Sequence, residues 1–379
     1  MIYYYFFAVS LAIALLMVKR FPLWICSAVL VYFIVVFVED GFIPPDYENY
    51  LQVFENTFRV EGWPYYKTIT VASVEELYVT FNGFVKFTIA DDFVTFIMVN
   101  AALSLLLYYL LVRKMLVYHR AASFVLLLPV IYPTGNYFLL RSSLPFFLGL
   151  LALAYLANKK WWPAVVLFVI GFNIHNQYTL SFFLAGVAFF YLKRGIARED
   201  FKTVNRVLLI SAVILAVFLG FANVFQDLIA QIFSFLPNSN LTSTKINYLE
   251  TEKQSYRYTA VLSIGVFPYF CYKILKHKLN YREWRVFYQD NNKDLMFVYM
   301  LFALSLAGAA INIGFIDNSH VAGRLSRFSD YVLTLFILHT FFKLYTPRET
   351  YKLIILFIVL ISPLIYPAVY MDIEWDTIF

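Results

Sequence analysis

Charged residues are scarce in this sequence. They make up 14% of its 379 residues, where a soluble domain carries about 25%. The apolar share is 61%, against roughly 45–50% in soluble proteins. This shortage excludes an ordinary soluble fold, a disordered chain and a coiled coil. Cysteine is nearly absent. Cys26 and Cys271 both lie inside apolar runs, so they read as small hydrophobic side chains and imply neither a disulfide framework nor a metal. Only five histidines occur, and none stands at metal-box spacing from other ligands. A phosphate-cradling glycine-rich loop and a Gly-x-Ser-x-Gly nucleophile are also missing. Any catalysis is therefore expected to be acid–base and electrostatic, with no metal, nucleotide or other cofactor. The net charge of +6 is no nucleic-acid footprint, because the basic residues fall in short clusters between apolar runs.

Those apolar runs dominate the chain. They cover about 2–18, 21–38, 93–112, 121–133, 137–157, 161–175, 178–192, 207–225, 258–275, 295–314, 328–345 and 353–371. Several fall short of the roughly 18 residues that a membrane-crossing helix needs, and the fourth to seventh suit tilted, broken or re-entrant helices. The expected fold is an all-α polytopic membrane protein with about 12 transmembrane helices, 10–13 being compatible, in a single integral membrane domain over 1–379. The first run has no basic leader and is followed by Lys19-Arg20 and a second run, so it reads as a retained span. Alternate connections hold 21 of the 30 Lys and Arg, and the opposite side holds 18 of the 24 acids. The positive-inside rule then places both termini outside. Two outer loops are long, 39–92 and 226–257, and a short one covers 315–327. Tyr50, Leu51, Val53, Phe54 and Phe58 in the first, and Leu228, Ile229, Ile232, Phe233 and Leu236 in the second, have the spacing of helices lying in the headgroup plane.

Nine cations break the positive-inside rule: Arg59, Lys67, Lys86, Arg141, Lys245, Lys253, Arg257, Arg324 and Arg327. Arg141 is expected one turn into the fifth span, Arg257 just ahead of the ninth, and Arg324 and Arg327 on one face at the mouth of the eleventh. Guanidinium forks at a membrane mouth suit a phosphate or pyrophosphate headgroup. A plainer reading gives each a neighbouring carboxylate or lets it snorkel to the surface. The candidate bases are Asp46, Glu75, Glu76 and His175. A carboxylate in a dry, aromatic-lined mouth acquires a raised pKa and serves as general base; the plainer reading is a solvated acidic loop. His175 ends the sixth span within Asn173-Ile174-His175-Asn176-Gln177-Tyr178. It reads either as a cap meeting the helix dipole or as a base near the substrate.

These landmarks carry a resemblance. Asp46, Tyr47 and Tyr50 form an outer Asp-Tyr-x-x-Tyr element, and Glu75-Glu76 precede the third span. Arg141 follows the short Gly135-Asn136 loop, His175 ends the next outer helix, and Arg324, Arg327 and Tyr331 form a late Arg-x-x-Arg-x-x-x-Tyr. The arrangement resembles the EpsG/Wzy class of bacterial polysaccharide polymerases, which includes O-antigen polymerases. The resemblance implies a metal- and nucleotide-independent glycosyltransferase in the bacterial inner membrane, with its active site facing the periplasm or outer surface. It would join oligosaccharide repeat units carried on undecaprenyl pyrophosphate and release that carrier, among membrane lipid and with a chain-length regulator as a possible partner. Arg141, Arg257, Arg324 and Arg327 would hold the pyrophosphate. Asp46, Glu75, Glu76 or His175 would take the proton, and Tyr47, Tyr50, Asn136 and Tyr331 would face the sugars. Other readings of the same residues are an O-antigen ligase, a C-type glycosyltransferase, a lipid-linked oligosaccharide flippase and a membrane acyltransferase.

Overall fold

The computed structural model describes residues 47–60, 66–69, 74–115, 141–175, 201–224 and 292–315, with scattered positions between 182 and 193 and Ser326. Helix dominates. The elements are α1 (Tyr47–Glu55), β1 (Thr57–Arg59), β2 (Tyr66–Thr68), α2 (Glu76–Thr88), α3 (Phe93–Met115), α4 (Ser143–Ala157), α5 (Trp161–Ile174), α6 (Phe201–Val224) and α7 (Asn292–Gly314). Two of them contain segments long and apolar enough to cross a membrane, Phe93–Leu111 and Thr203–Phe221, and Ser143–Ala157, Trp161–Ile174 and Tyr299–Gly314 are shorter apolar helices. They coincide with the third, eighth, fifth, sixth and tenth apolar runs in that order, Thr203–Phe221 starting four residues ahead of the eighth. The chain divides into two compact units, the first made of 1–180 and 337–379 and the second of 181–336.

Among the described residues, the first unit departs from an all-helical expectation at one place. β1 and β2 form an antiparallel hairpin pairing Thr57 with Thr68 and Arg59 with Tyr66. Phe58 therefore sits on a strand, half exposed, instead of continuing the helix. Helix α1 stops at Glu55, and Asn56 Nδ2 and Thr57 Oγ1 bond back to the Gln52 and Val53 carbonyls. Val53 and Phe54 of α1 are buried in a core with Tyr78 and Val85 of α2, Phe93 and Phe96 of α3, Leu144 and Leu148 of α4, and Ile174 of α5. The apolar side of α1 is thus directed at protein. Burying each such side chain is worth about 1.5–3 kcal/mol. The second amphipathic stretch, from Leu228 to Leu236, lies outside the described residues.

Helix directions follow from paired contacts. Asn100 and Ser104 of α3 meet Ser143 at the start of α4, and Lys114 near the end of α3 lies over Tyr155 near the end of α4. The two helices are parallel, so Met115 and Arg141 stand at opposite ends of the pair. Helices α4 and α5 instead form an antiparallel hairpin. Lys159 adopts φ 59°, and Lys159 N–H and Lys160 N–H bond to the Leu156 and Tyr155 carbonyls, closing α4 by a Schellman turn. A proline sits in the first turn of each helix, Pro145 and Pro163, where no intrahelical N–H is lost. The start of α4 and the end of α5 therefore share one end, opposite Lys114, Lys159 and Lys160.

In the second unit, α6 and α7 pack side by side. Asn205 lies beside Tyr299, and Gly220 approaches the carbonyl of Gly314, so these two helices are also parallel. A side chain at Gly314 would collide with Leu219. Small residues let backbones approach closely where lipid supplies no hydrophobic drive between helices.

Candidate active site

Three residues from the sequence reading come together at the shared end of α4 and α5. Glu75 stands at the N-cap of α2 with extended backbone (φ −64°, ψ 140°), yet its side chain makes no capping bond. Its carboxylate is turned to two other segments. His175 Nδ1 lies 3.1 Å from Glu75 Oε1 across 100 residues of sequence, and Arg141 Nη1 lies 3.3 Å from Glu75 Oε2. The contrast with Asp92 is instructive. That acid caps α3 in the ordinary way, accepting from Thr95 N–H at 2.8 Å and Thr95 Oγ1 at 2.9 Å.

Position follows from local structure. His175 is the C-cap of α5, its N–H bonded to the Gly171 carbonyl, and it is 4% exposed. Arg141 lies in the turn ahead of α4, before the Ser142 N-cap. It is therefore not one turn inside a span, as its place in the apolar run led us to expect, and its charge is held outside the helix barrel. The four-residue periodicity of α2 brings Tyr78 and Asn82 onto the face that follows Glu75, and both are buried. Asn82 donates to the Tyr78 carbonyl at 2.8 Å.

Burial pushes the Glu75 carboxyl upward, but the hydrogen bond from His175 and the charges of Arg141 and His175 outweigh it, and the net shift is downward. The raised pKa expected of an acid in a dry mouth is thus overturned for Glu75, because two partners compensate its desolvation. An ionised Glu75 accepts from Nδ1–H, which fixes the tautomer and makes Nε2 the basic nitrogen of a neutral His175 ring. The carboxylate orients the imidazole and would offset a positive charge on it. Burial raises the Tyr78 phenol pKa, and Tyr50 adds to that effect.

The other expected residues divide. Tyr50 stands edge-on to Tyr78 at 6.1 Å between ring centroids, next to the Glu75 group. Tyr47 packs edge-on to Phe93 at 5.1 Å and is part of the α1–α3 contact. Its phenol pKa is raised by burial, then by Glu48, Asp92 and Glu55. Glu76 is exposed, so the acidic pair splits into one half-buried, paired carboxylate and one solvated one. Asp46, Asn136, Arg257, Arg324, Arg327 and Tyr331 lie outside the described residues. Tyr78 was not singled out by sequence, although its place three residues after Glu75 is the signal that finds it. Among the described residues no group of three His, Cys, Asp or Glu could hold a metal ion.

The model of the EpsG family matches residues 24–378. The chain belongs to the EpsG family. No curated protein and no solved structure matches it. EpsG membership, with the apolar helices above, makes this a membrane protein with a function of the polysaccharide-polymerase type. Its chemistry is of the glycosyltransferase kind, and a protein of this type acts on lipid-linked oligosaccharide.

Proposed function

We propose that this EpsG-family protein joins oligosaccharide repeat units carried on undecaprenyl pyrophosphate, at the outer face of the bacterial inner membrane, and releases undecaprenyl pyrophosphate. The observation that carries this reading is the Glu75–His175–Arg141 group at one end of the α4–α5 hairpin. A base with an orienting carboxylate beside a guanidinium is what transfer from a phosphorylated sugar donor requires. A hydroxyl of one lipid-linked unit attacks the anomeric carbon of the glycan on another. The bond from that carbon to the pyrophosphate oxygen breaks, and the electron pair leaves with the pyrophosphate.

In this reading His175 takes the hydroxyl proton at Nε2 while Glu75 holds Nδ1–H. Glu75 acts as a positioning residue, since its lowered pKa makes it a weak base. Arg141 stabilises the charge developing on the leaving group. The orientation rests on Lys114, Lys159 and Lys160 at the opposite end of the same helices, where cations mark the cytoplasmic side. Asp46, Arg257, Arg324 and Arg327 keep the roles that the sequence suggests, on sequence grounds alone. The same holds for Asn136, Tyr331 and the chain-length regulator.

The test is the surface glycan of a strain lacking this gene, with and without the gene restored. Loss of the polymer ladder with a single repeat unit retained on the acceptor lipid is the expected result. An unchanged ladder overturns the assignment. Loss of the single repeat unit as well points to the flippase or ligase readings.

A further inference from the structure

Tyr78 is fully buried, and its hydroxyl has no hydrogen-bond partner among the described residues. Arg141 Nε and Asn82 Oδ1 likewise lack a partner; the Asn82 amide lies close enough to the phenol to draw its pKa down, but makes no bond of ordinary geometry to it. A phenylalanine would fill the same space and make the same edge contacts to Tyr50 and Phe96, at 6.1 and 6.0 Å. An unpaired buried hydroxyl is costly, so its presence asks for an acceptor. The phenol lies within electrostatic reach of both Arg141 and Glu75. Two N–H and O–H donors without acceptors, one of them cationic, match an anionic oxygen.

We propose that Tyr78 belongs to the site, its phenolic O–H and the Arg141 Nε–H together taking a phosphate oxygen of the lipid-linked substrate. This inference rests on the reading of the site as one for a polyprenyl pyrophosphate. Burial and the neighbouring Tyr50 raise the phenol's pKa, which keeps it a proton donor at neutral pH. Tyr50 on α1 is one of the described groups beside the phenol, with Phe96 and Asn82, and an incoming phosphate displaces the Tyr50 ring. Tyr78 would then distinguish a phosphorylated lipid from its neutral alcohol, a task that packing alone does not perform.

The experiment uses the full chain in lipid nanodiscs, as wild type, Tyr78→Phe and the Tyr78→Phe/Arg141→Gln pair beside Arg141→Gln alone. Each is titrated with undecaprenyl pyrophosphate, undecaprenol and inorganic pyrophosphate. The expected result is an affinity for undecaprenyl pyrophosphate about tenfold weaker in Tyr78→Phe, the loss typical of one hydrogen bond to a charged group. Undecaprenol binding stays unchanged. The melting temperature of the unliganded protein does not fall, since the variant removes a buried unpaired hydroxyl. The double variant loses less than the two single losses multiplied. Equal affinity of wild type and Tyr78→Phe overturns the inference, as does an equal loss for both lipids, which marks a packing role. Inorganic pyrophosphate bound as tightly as the lipid overturns the lipid source of the phosphate. If wild type prefers undecaprenyl pyrophosphate no more than undecaprenol, the underlying site reading fails instead.

Discussion

Lys86 Nζ lies 3.2, 2.7 and 3.3 Å from the carbonyl oxygens of Phe54, Glu55 and Thr57, whereas Arg141 Nη1 faces a carboxylate that also binds a histidine. Both cations break the positive-inside pattern and both are largely covered, with 12% and 21% of their side chains exposed. Lys86 closes the carbonyl end of α1, where a cation meets the helix dipole, and its ammonium lies over the Phe54 and Phe87 rings at 5.6 and 5.7 Å. Its contact with Asp91 is long, at 3.9 Å, and that acid is well exposed. The charge of Lys86 is absorbed by backbone and aromatic faces. Arg141 meets a group that can change protonation, with donors left over. A cation that breaks the positive-inside rule can therefore be a fastener or a functional group, and what it binds tells which.

Four changes probe that distinction. The largest effect is expected from Arg141→Gln, which removes transition-state charge stabilisation and lowers turnover of lipid-linked repeat units by about 100- to 1,000-fold. Protein level in the membrane stays unchanged, and transfer by a purified variant at the wild-type rate would move Arg141 to the fastener class. Lys86→Met should do the reverse. Losing the bonds to three carbonyls costs about 1–3 kcal/mol of stability, read as a lower melting temperature, while turnover per folded molecule is kept.

Gly83→Ala sharpens the fastener side. A Cβ at Gly83 would run into the Tyr66 ring, which stacks on Phe87 at 5.7 Å and holds the β1–β2 hairpin on α2. Overpacking of this kind costs about 1–3 kcal/mol, partly relieved if the hairpin shifts, so proteolysis within 57–68 should quicken before global melting changes. The smallest effect is a pH dependence. Glu75 has its carboxyl pKa lowered in the folded protein, so its stabilisation is present above the unfolded carboxylate value of about 4.3 and is lost as pH falls through the lower folded value. Melting of wild type should drop in that acid range, and Glu75→Gln should flatten the drop. A parallel drop in both would place the acid sensitivity elsewhere.

Much of the site was legible as residues but not as an assembly. Glu75, Arg141 and His175 stood out because polar groups at the ends of apolar runs are few and costly. Their meeting was not legible, since it joins segments up to 100 residues apart and depends on α4 being parallel to α3 and antiparallel to α5. Glu75 and Glu76 look equivalent in sequence, and only the start of α2 separates a half-buried, paired acid from a solvated one. The hairpin was missed because its strands are three residues long, too short for an alternating pattern to register.

Helices α4 and α5 mark where sequence reading stops. Both are almost wholly apolar, yet every residue of α4 except Tyr155 is buried, while α5 buries only Ala164, Gly171 and Ile174 and exposes Trp162, Val165, Val166, Val169 and Phe172. A membrane helix needs apolar side chains whether it meets lipid or protein, so composition cannot tell the inner helix from the bordering one. The sequence by itself determined the membrane class, the apolar runs and the small set of charged candidates, because moving charge into hydrocarbon is costly everywhere. The tertiary structure alone decided which helix is enclosed, which acid is paired and which cation is a fastener, because those depend on packing between segments distant in the chain.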